Sequence, residues 1–173
     1  MIICHSRKFV FFSFPKTGSE SVREMLADLN EETVTPYREA TTDRPWYSHM
    51  SPAEAEAAFA ARGWDIRDYF TFTVTRNPYA RMVSIYEMVM AVDGFEKLKR
   101  RVGLRQRGFA PWLRATAPDG PGAGGRGHQR WRKFGTWSTR NWIAGQDGQP
   151  LVSKVLRLEH LATELPPVLE RLG

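Results

Sequence analysis

Twice along this chain, a short run of aromatic and β-branched residues ends at a proline-bearing turn and passes at once into a helical pattern. The first run is Phe9-Val10-Phe11-Phe12-Ser13-Phe14, closed by Pro15. The second is Tyr69-Phe70-Thr71-Phe72-Thr73-Val74-Thr75, closed by Arg76-Asn77-Pro78. Runs of this length and composition predict buried strands. Two strand–turn–helix units in series confine the chain to an α/β class: a central parallel sheet flanked by helices, in three layers. In such sheets ligands gather beyond the carboxyl ends of the strands, which is where both turns fall.

The helical patterns are equally specific. Ser19 is expected to cap a first helix whose apolar stripe is Val22, Met25, Leu26 and Leu29. Residues 30–47 are polar and aperiodic and read as a connecting loop. Ser51-Pro52-Ala53-Glu54 places a capping serine, a proline at the first helical position and a glutamate able to close a capping box, ahead of an alanine-rich run to Arg62 and a stop at Gly63. The helix after Pro78 should face its core with Met82, Val83, Tyr86, Val89 and Met90. Leu151 to Leu158 reads as a third strand, and His160 to Leu172 as a terminal helix interrupted or begun near Pro166-Pro167. A length of 173 residues predicts one domain, with a flexible basic Gly/Pro-rich loop at about 115–130, since residues 118–127 hold five glycines and two prolines.

Composition removes whole classes of function. The single cysteine, Cys4, excludes an internal disulfide, and no Cys/His set at zinc spacing accompanies it. No apolar run approaches the ~18 residues of a membrane span. Pro15-Lys16-Thr17-Gly18 does not resemble a leader cleavage site. The expectation is a soluble, cytoplasmic chain in a reducing compartment. Its net charge of +6 is regional: residues 94–140 hold 12 Lys/Arg against 2 Asp/Glu, a net +10, which leaves −4 for the rest. That stretch, with Trp112, Trp131 and Trp137 interleaved, suits an anionic or sugar-like partner, or is a solvated basic face.

The loop Pro15-Lys16-Thr17-Gly18-Ser19-Glu20-Ser21 carries the sharpest chemical signal. Between a strand and a helix, backbone amides and the positive end of the helix dipole converge, which suits a phosphate or sulfate. Gly18 permits close approach, Thr17, Ser19 and Ser21 add hydroxyls, and Lys16 adds a mobile cation. The order Lys-Thr-Gly-Ser is not the Gly-x-x-x-x-Gly-Lys-Ser/Thr of a Walker A loop. In the second turn, Arg76 offers a planar fork for another anionic group, and Ser84 lies two helical turns further on. The pair of turns describes a ligand with anionic groups at two separated places.

At these residues the sequence resembles a known family. Phe12-Ser13-Phe14-Pro15-Lys16-Thr17-Gly18-Ser19-Glu20-Ser21 is similar to the 5′-phosphosulfate loop of sulfotransferases that use 3′-phosphoadenosine 5′-phosphosulfate (PAPS). Arg76-Asn77-Pro78-Tyr79, with Arg81, Ser84 and Tyr86, resembles their 3′-phosphate motif. Val155-Leu156-Arg157-Leu158-Glu159-His160-Leu161 is similar to a strand–helix junction of the carbohydrate-type branch. The resemblance implies a P-loop-like fold, PAPS as donor and adenosine 3′,5′-bisphosphate (PAP) as product. It implies that Lys16, Thr17, Gly18, Ser19 and Ser21 hold the 5′-phosphosulfate, and that Arg76 and Ser84 hold the 3′-phosphate. It also implies a segment past the equivalent of Leu172-Gly173 that helps close over the nucleotide.

Sulfuryl transfer needs an in-line acceptor hydroxyl, a base for its proton and positive charge on the leaving phosphate. Lys16 suits the last role. His49 is the first choice of base, since imidazole titrates near neutrality and the residue directly precedes a capped helix. Glu20, inside the phosphosulfate loop, is the alternative; His5, His128 and His160 are weaker candidates. No metal is required, because a sulfuryl group carries less charge than a terminal phosphoryl group and protein donors can stabilise it. Other readings stay open: an ATP-dependent small-molecule kinase of P-loop type needing Mg²⁺, a non-catalytic nucleotide-binding protein, and a nucleic-acid-binding module. The last fits the pI of about 9.8 but has no recognition helix, zinc finger or RNA-binding motif behind it.

Overall fold

The computed structural model describes residues 1–115 and 139–173, the side chain of Asn141 excepted. The chain divides into two compact units: Met1–Asn77 with Ser138–Gly173, and Pro78–Trp137. All of the expected loop at 115–130 except Ala115 lies outside the described residues, as do His128, Trp131 and Trp137. Among the described residues no helix is long and apolar enough to cross a membrane.

The first unit is an α/β arrangement built on a four-stranded, mostly parallel sheet. Its strands are β1 (Ile2–Cys4), β2 (Phe9–Phe12), β3 (Phe70–Thr75) and β4 (Lys154–Arg157), in the order β1-β2-β3-β4. β2, β3 and β4 run parallel, with Phe12 opposite Thr73 and Thr75 opposite Arg157. β1 is an antiparallel edge strand paired as Ile3 with Val10. Sequence reading expected a central parallel sheet, which β2, β3 and β4 form, and missed the antiparallel β1, because three residues are too few to show a period.

Alternation across the pleat divides the aromatic strands between two faces. Phe9, Phe11, Phe72, Val74 and Leu156 pack with Val22 of α1 (Ser19–Met25), with Leu26 at its C-cap, and with Leu165, Val168 and Leu172. Each buried Phe here contributes roughly 1.5–3 kcal/mol of transfer free energy. The alternate residues Ile3, Val10 and Phe12 are also fully buried. On that side Thr73 donates to the Phe12 carbonyl (2.7 Å) and accepts from the Trp142 indole (3.3 Å). The Trp142 ring stacks on Phe14 with centroids 4.5 Å apart.

α2 (Pro52–Ala60) begins with the expected capping box, Ser51 and Glu54 satisfying each other's amides. The first helix departs from expectation. Gly18, in the left-handed region, is its N-cap, Ser19 is already helical, and α1 ends at Met25, whose side chain is exposed, with Leu26 turned inward in its place.

In the second unit, α3 (Pro78–Val92), α4 (Gly94–Arg101) and α5 (Phe109–Ala115) gather Ile85, Val89, Met90 and Trp112 into a core. The inward line of α3 runs Arg81-Ile85-Val89, at intervals of four. Val83, expected inside, is instead exposed. Back in the first unit, α6 (Thr139–Trp142) precedes β4, and the chain closes with α7 (Leu161–Glu164) and α8 (Pro166–Leu172), divided just before Pro166 as the prolines require.

Candidate functional site

The loop between β2 and α1 is built around two left-handed residues. Gly18 (φ 72°) adopts this backbone without penalty, but Lys16 (φ 64°) does so with a full side chain, a conformation that ordinary loops avoid. The hydroxyls of Thr17 and Ser19, both buried, donate to one acceptor, the Phe14 carbonyl, each at 2.8 Å. These hydroxyls therefore tie the loop back to the strand end. The amides of Lys16, Thr17 and Gly18 make no hydrogen bond to another described residue. Successive uncommitted amides in a turn of alternating handedness form a concavity suited to an anion. Lys16 is partly exposed beside them, and Ser21 is exposed on the first turn of α1.

Glycine at position 18 is required twice over. Besides the positive φ, a Cβ there would lie 2.6 Å from Cδ1 of Leu158. Leu158 opens the 3-10 turn Leu158–His160 that follows β4. Its neighbour Glu159 accepts a hydrogen bond from the Asn77 amide at 2.8 Å. The Glu159 carboxyl is held below the usual carboxylate range, first by that amide, then by its own backbone N–H, with the Arg76 charge adding to them. Adjacent Cα atoms lie about 3.8 Å apart. The loop after β2 and the loop after β3 thus rest on one two-residue step at the end of β4.

His49 lies in the segment leading to α2. Its Nδ1 is 2.8 Å from the carbonyl of Ser13, at the entrance to the Lys16 loop. A carbonyl only accepts, so Nδ1 carries the proton and the neutral ring keeps its lone pair on Nε2. Burial lowers the imidazole pKa below 6.5, outweighing the Ser13 bond, which acts to raise it. Glu20 is different in kind: its side chain is 87% exposed and pairs with Arg23 at 2.9 Å. His5 is held between the Tyr69 hydroxyl (2.8 Å) and Glu32 (2.9 Å), so packing and pairing account for it. His160 is exposed after β4.

The first unit therefore contains Lys16, Thr17, Gly18, Ser19, Glu20, Ser21, His49 and Arg76. Ser84 belongs to α3 in the second unit, where it is partly exposed. On the same helix Arg81 is buried, and desolvation brings its guanidinium down to about 10. Sequence reasoning quoted the β4 junction but assigned no task to Leu158 or Glu159, and none to the Ser13 carbonyl. Their contributions are a methyl contact and two backbone bonds, which no residue type advertises.

This pair of strand-end loops agrees with the comparison to known families, in which residues 1–131 match the model of the sulfotransferase family. The chain belongs to that family. No curated protein and no solved structure matches it. The matched residues of this sulfotransferase include both loops and His49, and membership supports sulfuryl transfer as its general activity.

Proposed function

We propose that this sulfotransferase takes its sulfuryl group from PAPS and passes it to an acceptor hydroxyl of a carbohydrate or other small molecule, on a P-loop-like scaffold. The observation that carries this reading is the convergence of the Gly18 and Asn77 loops on Leu158 and Glu159. That convergence brings an amide-lined turn with a lysine and a strand-end arginine to the same edge of the sheet. A donor with anionic groups at both ends of one nucleoside fits two such loops, and the crowded Gly18 leaves backbone, not side chain, to face it.

In this reading Lys16, the amides of residues 16–18 and the Ser21 hydroxyl hold the 5′-phosphosulfate, while Thr17 and Ser19, expected as hydroxyl donors to it, serve instead by tying the loop to the Phe14 carbonyl. Arg76 holds the 3′-phosphate, and Ser84 is carried to that phosphate by the resemblance. Bound there, the donor supplies an activated sulfuryl group on a phosphate leaving group. His49 Nε2 takes the acceptor proton as the acceptor oxygen bonds to sulfur and the bond from sulfur to the bridging phosphate oxygen breaks. Lys16 offsets the charge that builds on that phosphate oxygen. The exposed, Arg23-paired Glu20 is the second choice of base.

The test is a thermal-shift titration with PAP on the wild type and on Lys16→Ala, Arg76→Ala and Ser84→Ala. Ligand at a hundredfold excess over Kd stabilises by about 2.7 kcal/mol. A shift in the wild type that is largely lost in the variants is expected. Equal shifts in the wild type, Lys16→Ala and Arg76→Ala would sink the site, and a larger response to ATP with Mg²⁺ than to PAP would favour the kinase reading.

A further inference from the structure

Helix α4 is built inside out. Its one acidic residue, Glu96, is 4% exposed and takes the Lys99 ammonium at 3.0 Å and the Arg107 amide at 3.0 Å. The Asp93 side chain caps the helix through the Phe95 and Glu96 amides, and Gln106 donates to the carbonyls of Met90 and Glu96. The inward side is therefore polar and satisfied. The apolar residues face water instead: Phe95 is 65% exposed, Leu98 55%, Val102 59% and Leu104 62%. Residues 95, 98 and 102 fall at intervals of three and four, one stripe of the helix and its C-cap. By helix geometry Lys99, 4.6 Å over the Phe95 ring, and the exposed Arg101 flank that stripe, and the exposed Arg105 and Arg107 follow it in the chain; Lys97 and Arg100 are exposed on the other sides of the helix.

A soluble helix normally hides its apolar stripe, so a stripe held outward by a satisfied polar interior marks a surface meant to be covered. We propose that α4 and the segment to Arg107 dock on an anionic phospholipid bilayer, with Phe95, Leu98, Val102 and Leu104 entering the headgroup–acyl boundary and the cations meeting lipid phosphates. Charge selects this occupant. A second copy of the same face would bring like charges together, and a nucleic acid would satisfy the cations but leave the apolar stripe in water. An anionic bilayer offers both an apolar phase and negative charge. The surface lies wholly within the second unit and does not depend on the proposed donor chemistry.

The test is co-sedimentation of the full chain with phosphatidylcholine vesicles and with vesicles containing roughly a third phosphatidylglycerol, at about 0.15 M salt. Binding at least about tenfold tighter to the anionic vesicles is expected, and Leu98→Ser with Val102→Ser should weaken it by about tenfold while leaving thermal unfolding unchanged. The proposal is overturned by absence of binding, or by equal binding to neutral vesicles. It is equally overturned if the double substitution leaves vesicle binding intact, which would mean adhesion by charge alone. A dimer that the double substitution dissociates would identify a second copy as the occupant, and a lowered unfolding temperature would show that the chain covers the stripe itself. Either of these also overturns it.

Discussion

Gly18 and His49 show how single residues set what the loop can do. Gly18→Ala meets two obstacles, a positive φ and the Leu158 methyl at 2.6 Å. The backbone term alone is worth about 1–3 kcal/mol, so urea unfolding should show a loss of at least that size. Adding Leu158→Ala should recover only the steric part. For His49 the sign follows from its surroundings. Burial favours the neutral ring, so if His49 is the base, as proposed, it stays ready down to a pH below 6.5, and the acid limb of kcat should fall below that value. His49→Ala should lower kcat by about 10²–10⁴-fold and remove the limb while PAP binding persists. Glu20→Gln should leave the limb in place; a limb that moves with Glu20 instead would transfer the role of base. The residue types at 16–21 and 49 were legible as chemistry from their pattern. The assignment of the His49 tautomer was not, because it rests on a carbonyl 36 positions earlier.

Among the elements, the turn after β4 has the widest reach for its size. Glu159→Ala removes the acceptor for the Asn77 amide. Since the carboxylate is exposed and solvent screens the bond, the loss of global stability at pH 7 should be small. PAP should bind about three- to tenfold more weakly, the range expected for one hydrogen bond. Glu159→Gln keeps an acceptor oxygen and should recover most of that affinity, whereas a purely electrostatic role toward Arg76 would leave the glutamine variant as weak as the alanine one. The capping box of α2 was readable because Ser-Pro-x-Glu is a local device whose parts contact each other within four residues. The start of α1 was not readable in the same way. Ser19 has the chemistry of an N-cap, but its hydroxyl is drawn to the Phe14 carbonyl and the cap passes to Gly18. A nearby acceptor at the strand end outcompetes the helix amides, and local propensity does not register such an acceptor.

At the scale of the whole molecule, acid should act in one direction. The carboxyls of Glu31, Glu159 and Glu164 are all held below their ordinary values, Glu31 at about 2 chiefly through the Ser6 hydroxyl. Their folded-state pKa values are depressed, so the stability they contribute is present above about pH 4.5 and is lost as pH falls through the folded values. Buried, neutral His49 adds a loss that begins below pH 6.5. The net charge of +6 grows as carboxylates protonate, and self-repulsion adds to both. The unfolding temperature should therefore decline steadily from pH 7 to pH 3; a flat profile would show that these bonds are matched in the unfolded chain. What the sequence by itself determined is what short-range physics controls: two buried strands, the turns that end them, the capped helix, and the anion-seeking composition of the Lys16 loop. Tertiary structure alone decided which carbonyl holds His49, which side chain crowds Gly18, and that Glu159 closes on the Asn77 loop. Those contacts join residues 36 to 140 positions apart, and at such distances a sequence pattern carries no record of which neighbour the packing will choose.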